Sequence, residues 1–303
     1  MQEQIAHAVG PDRLDIAYAR LGEPSAPPVL LIMGLAAQMV HWSPEFIELL
    51  LGHGLQVLCF DNRDAGRSSH LSGAPPADLP AALAGDLSSV TYTLSDMAAD
   101  AVGLLDALGI DSAHVVGASL GGAIGQSLAI EHPNRVRSLT SMMSTTGSPE
   151  VGQIHPATMR ALFGGGPATT REMAMERAVR NLQIVGSPDY PVDPVLTAER
   201  AGLAWDRDHD LAAVARQAVA SVASGDRTRA LRSLNLPTLV VHGLADTMCD
   251  PSGARATAAA VPGAELLLIE GMGHNLPPGL LRRVTDAIVA NIQRGEARIA
   301  AAR

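Results

Sequence analysis

The chain has 303 residues, 47% of them apolar, which is enough for one large domain with an insertion or for two ordinary domains. A net charge of −9 with no Lys/Arg block argues against nucleic acid and anionic membrane surfaces as partners. Two cysteines, Cys59 and Cys249, make neither a disulfide framework nor a metal-binding CxxC spacing, so no metal and no cofactor is expected.

The opening stretch MQEQIAHAVGPDRLD lacks a basic segment followed by an apolar run, so no signal peptide is expected. The longest apolar run, Pro27 to Ala37, is too short to span a bilayer, and a cytoplasmic protein is the expectation. Short apolar runs then alternate with amphipathic stretches, as strands separated by crossover helices do. The strands are expected at Val29–Met33, Gln56–Phe60, Ala113–Val116, Leu139–Met143, Thr238–His242 and Glu265–Ile269. Most lack strict alternation, which fits strands covered on both faces of a parallel sheet. Between them, Met97, Ala101, Leu104, Leu105 and Leu108 fall at helical spacing after Thr93 and before Gly109. Further helices are expected from Ser119 to Glu131, ending before Pro133, and from Leu280 to Ile292.

Residues 148–233 differ in character. They carry no strand pattern and read as helices broken by Gly164–Pro167 and by the proline-rich Ser187–Pro194. A single crossover needs only about a dozen residues or a little more, so this block is expected to be a helical cap. The core would then be 1–147 with 234–303.

The sharpest chemical signal is Gly117-Ala118-Ser119-Leu120-Gly121, directly after one expected strand and directly before a helix. So tight a strand-to-helix turn needs small neighbours, and it lifts the serine hydroxyl to the C-terminal edge of the sheet. A serine needs an imidazole beside it to be a nucleophile near neutrality. Among ten histidines, His274 sits in Gly271-Met272-Gly273-His274-Asn275, a loop just past the last strand, where flanking glycines would leave its ring room to swing over Ser119. His242 and His114 lie in strands and read as packed histidines; His41, His53, His70, His132, His155 and His209 read as solvent-exposed. The acid that orients the imidazole is expected at Asp246, in His242-Gly243-Leu244-Ala245-Asp246, with Asp250 as its competitor. The chain order Ser119, Asp246, His274 favours Asp246. Oxyanion donors are expected from the backbone N–H groups of Leu120 and of Leu35 after Gly34, each contributing about 3 kcal/mol to a transition state.

With these residues in place, the chain resembles the α/β-hydrolase superfamily over nearly its whole length. Within it, the resemblance is to aclacinomycin methylesterase-like proteins and related bacterial carboxylesterases. The features that carry it are Leu31-Ile32-Met33-Gly34 with Trp42 downstream, Phe60-Asp61-Asn62-Arg63-Asp64-Ala65-Gly66-Arg67-Ser68, the serine turn, His242–Asp246 and Gly271–His274. The resemblance implies an α/β fold with a mostly parallel central sheet flanked by helices and a helical cap inserted late. It also implies that Asp61, Arg63 and Asp64 belong to a structural turn. Many members carry His where this chain has Met33, which alters the packing of the loop but not its backbone donor. Asp in place of Ser119 would mark a dehalogenase or epoxide hydrolase, and Trp in place of Leu120 a proline iminopeptidase.

The expected activity is therefore hydrolysis, through an acyl-enzyme, of a small to medium hydrophobic ester or lactone, with a small-molecule ester as substrate and the oligomeric state left open. The pocket is expected to be lined by Met33, Gly34, Met143, Met248 and Met272, with Phe163, Tyr190 or Trp205 from the cap. Two other readings use the same residues. One is a carbon–carbon bond hydrolase of ring-cleavage products, which would want an Arg in the pocket for the substrate's acid group. The other is a ligand receptor with slow turnover.

Overall fold

Runs such as Val29–Ile32 and Val57–Phe60 are apolar at every position, so they are stable only where both faces are covered. In the computed structural model, which describes residues 2–301, they lie at the centre of a sheet of eight strands. These are β1 (Gln4–Val9), β2 (Leu14–Leu21), β3 (Pro28–Ile32), β4 (Gln56–Phe60), β5 (Ala113–Ala118), β6 (Val136–Met142), β7 (Thr238–Gly243) and β8 (Glu265–Ile269). The sheet order is β1-β2-β4-β3-β5-β6-β7-β8, and β4 through β8 run parallel while β1 and β2 pair antiparallel at one edge.

Helices α1 (Pro44–Gly52), α2 (Leu79–Leu83), α3 (Leu94–Ala107) and α4 (Leu120–Glu131) precede β6. Five more, α5 (Pro156–Phe163), α6 (Arg171–Val185), α7 (Pro194–Arg207), α8 (Leu211–Ala223) and α9 (Thr228–Leu231), fill the interval between β6 and β7. The chain closes with α10 (Ser252–Ala260) and α11 (Leu281–Ala301). The expected breaks recur: Gly164–Pro167 separates α5 from α6, and the proline-rich stretch separates α6 from α7. At α3 the Thr93 and Asp96 side chains form a reciprocal capping box, which explains why the helix starts there.

Period-two alternation divides the core. Leu30, Ile32, Leu58, Phe60 and Val115 pack on the face covered by α3 and α4. Val29, Leu31, Val57, Cys59 and Val116 pack on the other, under α1 and α11, where Trp42 stacks on Phe46 at 5.4 Å. Burial pushes the Cys59 thiol up to about 12 and raises that of Cys249 as well, so both behave as apolar filler.

Two strands, β1 and β2, are additions to the sequence reading. Most of β1 is exposed at the sheet edge, so its polar composition hides the pattern that central strands display. Helix α1 was also not foreseen, and α11 runs on to Ala301. Among the described residues, no helix is long and apolar enough to cross a membrane, and no cluster of His, Cys, Asp or Glu is disposed to hold a metal ion.

Candidate active site

The sheet reverses its order of growth between β3 and β5: the chain leaves β3 for β4 on one side and returns to β5 on the other. Loops leaving the C-terminal ends of such neighbours diverge and open a crevice, the usual place for a ligand in open α/β sheets. Ser119 follows β5 and Gly34 follows β3, so both lie at this point.

The serine turn is as tight as its glycines suggest. A Cβ at Gly117 would run into the backbone of Gly121, and one at Gly121 into the carbonyls of Ile32 and Met33. Ser119 itself has φ 55° and ψ −120°, a conformation that L side chains scarcely adopt. It is held there by the bond from its N–H to the Met142 carbonyl at 2.9 Å. A side chain at Gly34 would sit 3.0 Å from the Ser119 Cβ, so glycine keeps the space before the hydroxyl clear.

His274 Nε2 lies 3.0 Å from Ser119 Oγ, and its Nδ1 lies 2.7 Å from Asp246 Oδ2. With Nδ1 donating to the carboxylate, Nε2 is left to accept the serine proton. The imidazole is only 13% exposed and the Asp246 carboxylate is fully buried. Asp246 Oδ1 accepts from the N–H groups of Met248 and Cys249, both at 2.9 Å. Burial opposes its charge, but hydrogen bonds from His242, His274 and the Cys249 N–H outweigh it and hold the carboxyl well below the usual range. Asp250, the competitor, is exposed and accepts from the Ser252 N–H at 2.9 Å at the start of α10.

Leu120 opens α4, where the first N–H groups have no intrahelical acceptor. Leu35 is the second residue of a turn closed by the Ala37 N–H to the Gly34 carbonyl at 3.1 Å, with Ala36 at φ 59°. Neither the Leu35 nor the Leu120 N–H meets a protein acceptor among the described residues. A hydroxyl–imidazole–carboxylate relay, with uncommitted main-chain donors in the loops after β3 and β5, is a set of groups suited to acyl transfer.

Of the expected pocket residues, Met33 is half-buried and its carbonyl accepts from Asn62 Nδ2 at 3.1 Å. Met143 and Met272 lie in the core cluster under α1 and α11, with Tyr190 packed against it. Met248 is half-buried beside Asp246, and Trp205 is half-buried and stacked on His209 at 4.2 Å. Phe163, at the end of α5, is 56% exposed.

Several polar residues that matter here escaped the sequence reading. Gln217 of α8, fully buried, accepts from the Ala36 N–H at 3.0 Å and donates to the Arg63 carbonyl at 2.8 Å. His242 is indeed packed, with Nε2 2.7 Å from the Cys249 carbonyl, but it also lies 3.2 Å from Asp246 Oδ2. His41 and His70 are not simply solvated: the first is half-buried against Gln38, and the second pairs with Asp208 at 3.1 Å. Burial pulls His41 down to about 4, while the Asp208 carboxylate raises His70. The Asp61–Ser68 turn is a hub of ion pairs. Asp61 meets Arg207, Asp64 accepts from Nε and Nη2 of Arg216, each at 2.7 Å, and Arg63 meets Asp100. The partners of Asp61, Asp64 and Arg63 could not be read from local spacing, because these pairs join residues far apart in the chain.

A family model described as alpha/beta hydrolase fold matches residues 27–277. Rhodomycin D methylesterase of Streptomyces peucetius is 30% identical over 298 residues, covering 92% of this chain and 95% of that protein. Among solved structures, a meta-cleavage product hydrolase from Pseudomonas fluorescens IP01 superposes with a TM-score of 0.71 at 20% identity, with 97% of each chain covered. The enol-lactonase from Burkholderia xenovorans LB400 does so at 0.68 and 22% identity, over 96% of this chain and all of that one.

Proposed function

The chain belongs to the α/β-hydrolase family, and from that premise we propose that it hydrolyses a carboxylic ester through a Ser119–His274–Asp246 triad. Ser119 Oγ attacks the ester carbonyl while His274 Nε2 takes its proton, and the imidazolium so formed rests on Asp246. The tetrahedral oxyanion is received by the N–H groups of Leu35 and Leu120. His274 returns the proton to the departing alcohol, and water then releases the acid from the acyl-enzyme by the same steps in reverse. A lactone would follow the same course.

The observation that carries this reading is the unbroken relay from Ser119 Oγ to Asp246 Oδ2, at 3.0 and 2.7 Å. The methylesterase relative supports an ester substrate. Residues 148–233 act in this reading as a cap over the crevice, on a core made of 1–147 and 234–303. The competing carbon–carbon hydrolase reading would want a free arginine for the substrate's acid group. Arg207 and Arg216 are instead engaged with Asp61 and Asp64 and are not free for that role.

The test is turnover of a p-nitrophenyl ester series from acetate to laurate, with Ser119→Ala alongside. The expected outcome is multiple turnovers that vanish in the variant, with a chain-length optimum that sizes the acyl pocket. Stoichiometric release without turnover would favour a receptor, and activity persisting in Ser119→Ala would overturn the reading.

A further inference from the structure

The loop that carries His274 is built against the cap. Gly271 and Gly273 flank Met272 ahead of the histidine; Gly271 has φ 64°, and both glycines also face the segment that follows α6. A Cβ at Gly271 would collide with the Asp189 carboxylate, and one at Gly273 with the carbonyls of Gly186 and Val185. The glycines therefore make room for the segment that follows α6, rather than for movement of the imidazole.

That segment is bonded to the loop as well as packed on it. The Val185 carbonyl belongs to the last turn of α6, where carbonyls lack intrahelical donors, and it accepts from the His274 N–H at 2.6 Å. Ser187 is buried, and its hydroxyl accepts from the Gly273 N–H at 2.9 Å and donates to Asn275 Oδ1 at 2.7 Å. Its own carbonyl accepts from the Tyr190 N–H at 3.2 Å, and Tyr190 packs against the core under α1 and α11. The Asp189 N–H completes the contact by donating to the Gly271 carbonyl at 3.3 Å.

We propose that Ser187 is a positioning residue for His274: one hydroxyl ties the residue before the imidazole to the residue after it. The inference rests on the triad reading above and deepens it, because the general base is then held from the cap and not only from the core. A backbone displacement of about an ångström at a reacting group can cost about 100-fold in rate. Ser187 touches neither substrate nor reacting atoms, so its loss acts through the placement of Nε2 relative to Ser119 Oγ. The end of α6 also cannot lift away from the core without releasing the His274 loop.

The experiment compares wild type with Ser187→Ala, Ser187→Cys and Ser187→Thr, measuring kcat and KM on a turned-over p-nitrophenyl ester, the rate of fluorophosphonate labelling and Tm. Ser187→Ala is expected to lower kcat and the labelling rate together by about 10- to 100-fold with KM within about twofold, the loss that follows when a buried hydrogen-bond pair is broken. Ser187→Thr keeps the hydroxyl and is expected to recover most of the rate. Should the alanine variant not fold, Ser187→Cys decides, since it keeps the volume and weakens both bonds. A kcat and labelling rate equal to wild type overturn the proposal, as does a change confined to KM or to Tm. These outcomes differ from failure of the triad reading itself, in which wild type would be neither labelled nor active, or Ser119→Ala would remain active.

Discussion

At Ser119 the backbone conformation costs on the order of 1–3 kcal/mol relative to a relaxed serine, and it persists because its surroundings leave no alternative. Its N–H is tied to β6, and the glycines on either side let α4 close against β3. Asp246 shows the same over-determination in its hydrogen bonds. Both carboxylate oxygens are engaged, by two backbone N–H groups on one side and by two histidines on the other. Under the proposed mechanism Asp246→Asn keeps the backbone bonds but presents an amide to His274 Nδ1, which disfavours the tautomer that can accept from Ser119. We predict a loss in kcat of about 10⁴-fold for Asp246→Asn, with Asp250→Asn within about threefold of wild type, read from steady-state ester hydrolysis. A severe loss in Asp250→Asn with a mild one in Asp246→Asn would reverse the assignment.

Among the elements, the loop after β3 depends most on distant support. It leaves the sheet at Ile32, turns at Gly34–Ala37 with Ala36 left-handed, and has no regular structure until the short turn at Met39. The bonds that hold it include Gln217 of α8 on the Ala36 N–H, Asn62 on the Met33 carbonyl at 3.1 Å, Asp61 on the Met39 N–H at 2.7 Å, and Gln38 Nε2 on the Ala204 carbonyl of α7 at 2.9 Å. The proposed Leu35 donor sits beside the first of these. Gln217→Met preserves length and apolar bulk while removing both of its hydrogen bonds. We predict a fall in kcat of about 10- to 100-fold with KM little changed, since a misplaced oxyanion donor weakens binding of the transition state and not of the ester. If KM rises instead and kcat holds, Gln217 serves the substrate pocket and not the loop.

Over the whole molecule, helices α7 and α8 are joined to the turn after β4 by buried charge. Arg207–Asp61 and Arg216–Asp64 cross from α7 and α8 to one turn. Such pairs contribute little net stability, yet removing one partner leaves a buried charge and typically costs about 3–5 kcal/mol. They tie α7 and α8 to the Asp61–Ser68 turn. Two buried histidines bear on acid stability, His41 and His114, both pulled down to about 4 by burial. His114, enclosed in β5, has Nδ1 at 2.8 Å from Ser138 Oγ and Nε2 at 3.0 Å from Glu296 Oε1, with Arg137 nearby. Burial pulls its pKa from 6.5 down to about 4, so the neutral ring is the folded form. Protonation therefore favours unfolding: its contribution is present above about 6.5 and is lost as the pH falls toward 4. We predict that Tm declines across this window and that His114→Gln declines less steeply. Parallel curves for the two proteins would show that other groups are responsible.

How much of this was readable in one dimension follows from the range of the forces involved. The central strands, the breaks between helices and the serine turn were legible because strand burial, glycine geometry and capping act over a few residues. The edge strand β1 was not, since exposure at the sheet's margin removes the apolar signature. The sequence by itself determined the class of fold and singled out Ser119 and His274, because a tight strand–helix turn and a loop at the same sheet edge constrain which residues can meet. Only the tertiary structure decided how they are held. The glutamine under the Ala36 turn, the arginines engaged by Asp61 and Asp64 and the serine bridging the His274 loop are all contacts between segments far apart in sequence. Buried polar groups must find partners wherever the fold supplies them, and local pattern carries no record of that choice.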